Sequence, residues 1–190
     1  GDIEAPKLEV PADVTVECDA IPAVGTPTAT DNCDDDVEIT YNGEVRVGED
    51  DCSYVLQRTW TAIDECGLTH TLTQTITVLD TKGPELNKGA KVPTGETGMN
   101  VCYSDRPEGP SAEYIASLFS DNCGDVLVEK VPVFKGTDCL WKGYINYYIT
   151  DDCGNPADTI TLYYNGGDNE APVFINPPAD IEVTCIDQIP

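Results

Sequence analysis

The chain repeats itself, and this constrains its fold more than any single residue does. Gly1-Asp2-Ile3-Glu4-Ala5-Pro6 returns as Gly167-Asp168-Asn169-Glu170-Ala171-Pro172. Pro11-Ala12-Asp13-Val14-Thr15-Val16-Glu17-Cys18 returns, with a slip of one residue, as Pro178-Ala179-Asp180-Ile181-Glu182-Val183-Thr184-Cys185. A weaker copy lies between them. Asp31-Asn32-Cys33 matches Asp121-Asn122-Cys123, Asp64-Glu65-Cys66-Gly67 matches Asp151-Asp152-Cys153-Gly154, and Asp80-Thr81-Lys82-Gly83-Pro84 resembles the opening Asp2 to Pro6. Pro6, Pro84 and Pro172 mark the period, and the second interval is slightly longer than the first. An internal period decides architecture before any local feature does. It predicts two complete units, 1–82 and 83–169, and a third over 170–190 that is one strand long.

Within each unit the pattern is that of strands. Asp13–Glu17, Val37–Tyr41, Tyr54–Thr61 and Thr69–Leu79 alternate and are rich in Thr, Val, Ile and Tyr, with Asn, Asp, Gly and Pro clusters between them. Asn42-Gly43 reads as a turn. Several short strands per unit predict an all-β fold of tandem immunoglobulin-like sandwiches. One stretch departs from this. Over Ser111–Ser120, Ile115, Leu118 and Phe119 share a helical face and Ser111 is placed to cap it, which predicts a short helix inserted in the second unit.

Nine cysteines and no CxxC pair exclude zinc ribbons and thioredoxin-like motifs and point to disulfides made in an oxidising compartment. Each complete unit holds four, and spacing alone leaves three connectivities open. In a sandwich whose loops alternate between two poles, Cys18 and Cys52 share one pole and Cys33 and Cys66 the other. The pairing expected on that ground is Cys18–Cys52 and Cys33–Cys66, then Cys102–Cys139 and Cys123–Cys153. Cys185 matches Cys18 and is left without a partner by truncation. The chain begins with neither Met nor a secretory signal, so it reads as a piece of a longer protein.

Charge and scarce residues exclude much else. With 35 acidic and 10 basic residues the net charge is -25. That argues against nucleic acid and against anionic membranes, and leaves hard divalent cations as plausible company for the carboxylates. No apolar run approaches the length of a spanning helix, so insertion in a bilayer as a helix is not expected. His70 is the only histidine, and no GxSxG or P-loop is present. Together these argue against an enzyme.

The motifs Pro11–Pro22, Ala29-Thr30-Asp31-Asn32-Cys33 and Asp64-Glu65-Cys66-Gly67 resemble hyalin-repeat-like (HYR-like) modules. The whole set, with Pro93–Asn100 and Gly166-Gly167-Asp168, resembles the HYR-like tandem repeats of Bacteroidetes surface adhesins, a group that includes gliding-motility adhesins. The resemblance implies export by type IX secretion and display at the cell surface as a long extracellular filament for attachment. It also implies neighbouring repeats of the same chain as partners, with surface polysaccharide as a further one. Many copies carry cysteines where Val10 and Leu72 stand here, which implies a pair exchanged for an apolar contact.

Candidate sites follow from the acidic loops. Asp31 and Asp64, and in the second unit Asp121 and Asp151, each stand two residues before a cysteine, and Asp34 adds charge beside the first pair. Carboxylates and loop carbonyls could supply the six to eight oxygens that calcium takes. The plainer reading makes these aspartates turn-formers. Asp2, Glu4, Asp80, Asp168 and Glu170 precede prolines at unit boundaries, where either calcium or proline alone could stiffen a linker. Tyr144, Tyr147, Tyr148, Tyr163 and Tyr164 offer a carbohydrate face against the plainer expectation that about half are core. Trp60 reads as core and His70 as a strand residue. Asp158-Thr159-Ile160 resembles a short O-glycosylation signal. No cofactor is required by any of these readings.

Overall fold

In the long strands, alternate side chains turn inward as a period of two demands. The computed structural model describes residues 1–175, and the expected third unit, with Cys185, lies almost wholly outside them. In the first half the strands are β1 (Lys7–Glu9), β2 (Val14–Glu17), β3 (Thr28–Thr30), β4 (Glu38–Val47), β5 (Ser53–Ile63) and β6 (Thr69–Leu79). β5 buries Leu56, Arg58, Trp60 and Ala62, and β6 buries Gln74, Ile76 and Val78. One sheet runs β2-β6-β5-β4, with β2 parallel to β6, and a small second sheet pairs β1 with β3. Leu8 of β1 packs on Trp60 and Ala62, which closes the sandwich. The fold is all-β and immunoglobulin-like, with β4, β5 and β6 in the order of the C, F and G strands.

One detail corrects the sequence reading. Asn42-Gly43 makes no turn. It lies inside β4, where the register shifts between Tyr41 and Gly43. Gly43 takes a φ of 116°, and the extra residue is absorbed as a bulge, so that β4 continues to Val47. The core of this half is also not continuous. Arg58 and Gln74, opposite each other in register, are 4% exposed and separate a Leu8–Trp60–Ala62 cluster from a Leu56–Ile76–Val78 cluster. Arg58 donates to Glu44 at 2.6 Å and to the Ala23 carbonyl at 3.1 Å, and Gln74 donates to the Ala12 carbonyl at 2.8 Å. Val10 and Leu72 both pack against the first cluster. His70 links β6 to β1, its Nδ1 lying 3.2 Å from the Leu8 amide and 3.0 Å from the Pro6 carbonyl oxygen.

The second half has β7 (Glu85–Leu86), α1 (Ala112–Ala116), β8 (Phe119–Ser120), β9 (Val126–Thr137), β10 (Leu140–Asp151) and β11 (Ile160–Gly166). β7 pairs β8 as β1 pairs β3, and β9-β10-β11 stand as β4-β5-β6 do. A single parallel bridge, Met99 to Gly166, replaces β2. Ser111 caps α1 by accepting from the Tyr114 amide at 3.1 Å, and Ile115 is fully buried. The helix ends before Phe119, which pairs with Leu86 in β8 instead of continuing the helical face. The core here is one cluster of Ile115, Trp141, Ile145, Tyr147, Ile149, Ile160, Leu162 and Tyr164. Its polar tips are satisfied. Trp141 Nε1 donates to the Val101 carbonyl at 2.9 Å, and the Tyr147 hydroxyl donates to the Pro110 carbonyl at 2.8 Å. Burial pushes the Tyr147 phenol up to about 12.

Candidate functional site at the junction of the two halves

The register Glu17–Leu79–Ser53 places the end of β2, the end of β6 and the start of β5 at one pole of the first half. Cys18 and Cys52 flank that pole. They do not bond to each other. Cys18 bonds to Cys123 and Cys52 bonds to Cys153, with Cα atoms 5.7 and 5.5 Å apart. The expected Cys18–Cys52 and Cys123–Cys153 pairs are therefore replaced by two bridges across the junction. The reason is geometric. Cysteines at one pole can reach each other or the facing pole of the next unit, and head-to-tail stacking brings the Cys123/Cys153 pole of the second half against the Cys18/Cys52 pole of the first.

Cys33, Cys66, Cys102 and Cys139 carry free thiols, so Cys33–Cys66 and Cys102–Cys139 do not form either. The carboxylate of Asp2, ahead of burial, Asp31 and Cys66, pushes the Cys33 thiol up. Burial, then Asp138, Asp168, Asp105 and Cys139, pushes up Cys102. Thiols held protonated are slow nucleophiles.

Between the two bridges lies an acidic cluster. Asp80 follows β6 directly, its amide donating to the Cys52 carbonyl at 3.0 Å. Asp80 is 9% exposed as a residue, and neither of its buried carboxylate oxygens has a hydrogen-bond partner. Oxygens of Asp80 and Asp151 lie within 4.8 Å of each other, as do those of Asp80 and Glu17. Burial, then the charges of Asp151 and Asp121, holds the Asp80 carboxyl above the usual carboxylate range, and the nearby Lys82 amide, which does not reach hydrogen-bond geometry, offsets this only in part. Glu17 is held below its usual range by hydrogen bonds from the Thr81 hydroxyl and amide. Asn155 fastens the cluster, donating to the Asp80 carbonyl at 3.3 Å and to Asp151 Oδ2 at 2.8 Å. The linker and the second half meet at Gly83, where a Cβ would stand 2.4 Å from the Pro156 carbonyl oxygen.

A second acidic cluster stands at the opposite pole of the first half, where oxygens of Asp2, Asp31 and Asp64 lie within 4.8 Å of one another. In both places the loop aspartates divide their oxygens. Asp31 Oδ1 accepts from the Cys33 and Asp34 amides, and Asp121 Oδ1 from those of Cys123 and Gly124. Asp64 Oδ1 accepts from the Leu68 amide and Asp151 Oδ1 from that of Asn155, each at 2.8 Å. The second oxygens of Asp64 and Asp121 are buried without a partner. Asp34 stands apart, since both of its oxygens are used, by the amides of Asp36 and Glu65. Glu17 is not singled out by the sequence reading. Nothing in its local pattern marks it, and its place in the cluster depends on how the halves abut.

The aromatic residues divide by strand face. Tyr147 and Tyr164 are core, whereas Tyr148 is 43% and Tyr163 64% exposed. Tyr144 and Tyr163, ring centres 6.2 Å apart, line a shallow hollow of about 400 Å³ with Lys135, Lys142 and Asn165. Asp158 and Thr159 are exposed, and Ile160 is buried at the start of β11. No helix among the described residues is long and apolar enough to cross a membrane.

No curated protein matches the chain. Among solved structures it is similar to Drosophila N-cadherin EC1-4, at 12% identity over 86% of this chain and 49% of that one, with a TM-score of 0.37. The chain thus spans about half the length of that cadherin, and a likeness at this level carries no argument. Residues 6–78 match the family model described as an HYR-like domain with 4 cysteines.

Proposed function

We propose that the chain is a segment of an extracellular adhesin filament whose successive HYR-like units are welded head to tail by paired disulfides. The observation that carries this is the pair of bridges across the junction. Disulfides belong to an oxidising, extracellular setting. Bridges between units resist separation of the units, which is what a tether under tension needs. The free thiols complete the pattern. Cys33 and Cys66 are the counterparts of Cys123 and Cys153, and Cys102 and Cys139 those of Cys18 and Cys52. By that correspondence Cys33 and Cys66 would bond to a preceding unit, and Cys102 and Cys139 to a following one. Each bridge so formed passes two protons and two electrons to an oxidant of the glutathione-disulfide class. The charge of -25 keeps neighbouring filaments apart. The finer reading is a gliding-motility adhesin of the SprB type, exported by type IX secretion in the Bacteroidetes.

The test is a chain carrying a second copy of residues 83–169 directly behind the first, oxidised in glutathione buffer and mapped by mass spectrometry. The expected products link Cys102 and Cys139 of the first copy to Cys123 and Cys153 of the added one. A Cys102–Cys139 peptide as the main product would sink the reading.

The hollow at Tyr144 and Tyr163 favours a second reading, in which this face contacts surface polysaccharide. Rings stack on sugar C–H faces while Lys135, Lys142 and Asn165 bond hydroxyls. In native gels cast with cellulose, chitin or alginate derivatives, at least one polysaccharide should retard the chain, and Tyr163→Ala should abolish the retardation. Equal mobility of both proteins in every gel would remove this reading.

A further inference from the structure

We propose that Glu17, Asp80, Asp121 and Asp151 form a calcium site that clamps the junction between the two halves. The cluster draws on both sides. Glu17 and Asp80 come from the end of the first half, and in the second Asp121 follows β8 and Asp151 ends β10. An acidic cluster alone would mean little on a chain this negative. What sets this one apart is Asp80, which is buried beyond nine-tenths with both oxygens unpartnered and aimed at Asp151 and Glu17. An ionised carboxylate in that position is costly unless a cation or hydrogen bonds compensate it. The described residues supply no lysine or arginine to it. Lys82 reaches Asp19 instead, at 3.9 Å, and is half exposed.

The oxygens left over suit a metal. Asp121 commits Oδ1 to its own loop and keeps a buried Oδ2 free, and Asp80 keeps both. Asp151 has both oxygens bonded once, which leaves lone pairs on each. The Cys123 and Cys153 sulfurs that lie among these carboxylates are tied in disulfides, which leaves hard oxygen donors, and an irregular oxygen set fits calcium better than the strict octahedron of magnesium. The second pole repeats the chemistry with Asp2, Asp31 and Asp64, again with one buried unpartnered oxygen, on Asp64. A buried carboxylate oxygen without a partner inside an acidic cluster thus occurs at both poles of the first half. The inference stands apart from the filament reading, since it rests on the carboxylates and not on the bridges.

The test uses the full oxidised chain. Calcium chloride is titrated calorimetrically, and thermal melts are run with millimolar calcium and with excess chelator. The expected result is binding and a rise in Tm of roughly 10 °C at saturating calcium, with magnesium giving much less. Asp80→Asn, which removes the charge but keeps the shape, should melt higher than the parent in chelator and lose the tighter calcium site. Asp121→Asn serves as the second variant, because its Oδ1 bonds survive. No heat and no change in Tm for the parent in a large millimolar excess of calcium would overturn the proposal and leave Asp80 a buried neutral acid. A calcium response that Asp80→Asn and Asp121→Asn both retain in full would overturn it too.

Discussion

Pulled from its two ends, the chain should lengthen by about 35 nm more when reduced than when oxidised. The Cys18–Cys123 bridge closes a loop with a sequence separation of 105, and the Cys52–Cys153 bridge one of 101. The two loops overlap over the whole stretch from Cys52 to Cys123, so a pull that crosses either bridge bypasses that stretch. Reduction therefore frees roughly 100 residues, at about 3.5 Å each when extended. The interleaving makes the bridges redundant. Cys18→Ser leaves the route through Cys52 and Cys153, and Cys52→Ser leaves the route through Cys18 and Cys123, so either single variant should keep nearly the full restraint. Only loss of both releases the length. Bridges within each half would behave differently, because the stretch between Cys52 and Cys123 would stay extensible and each single loss would add its own increment. Single-molecule force spectroscopy, with the free thiols alkylated, reads this directly. A gain on reduction of only about 20 nm, or a separate gain in each single variant, would refute the observed connectivity.

Trp141→Ala should unfold the second half selectively. Trp141 is 1% exposed in the largest core cluster, its ring 6.0 Å from Phe134, and its Nε1 satisfies the Val101 carbonyl. The walls around it are partly backbone. Gly136 and Gly166 lie directly against the residue and have no side chain to swing in and fill the void. Truncating a buried Trp costs about 4 kcal/mol, which for a half of this size is on the order of 20 °C in Tm. Trp60 sits in a separate cluster of the first half and becomes the sole tryptophan of the variant. Its fluorescence should therefore still report a transition near that of the parent, while circular dichroism shows an earlier loss. If Trp60 fluorescence fell with the circular dichroism at the lower temperature, the two cores would not be energetically separate.

Much of the fold was legible because it is written in local period. Thr69–Leu79 alternates along its length and forms a strand with those same limits. Ser111 marks the start of α1 because a cap is a local hydrogen bond. Local signals fail where they meet a longer-range demand. Asn42-Gly43 is a good turn, but pairing along β5 on both sides of it is worth more, so the chain bulges and continues. Phe119 suits a helical face, but strand pairing with Leu86 and packing on the core claim it.

At the junction the division is sharper. The recurrence of Asp31 with Asp121, of Asp64 with Asp151, and of Asp2 with Asp80 is visible in the residues alone. So is the assignment of cysteines to poles, since it follows from strand direction within one unit. What the sequence by itself determined is thus everything that one unit can specify about itself: its strands, its inward residues, and which side chains stand at each end. Which cysteine bonds to which, and that Glu17 joins Asp80 and Asp151, was decided only by the tertiary structure. A cysteine or carboxylate at a pole has two candidate neighbours, one in its own unit and one in the next. The choice depends on the stacking of one unit on another, a contact between residues far apart in the chain that no local period encodes.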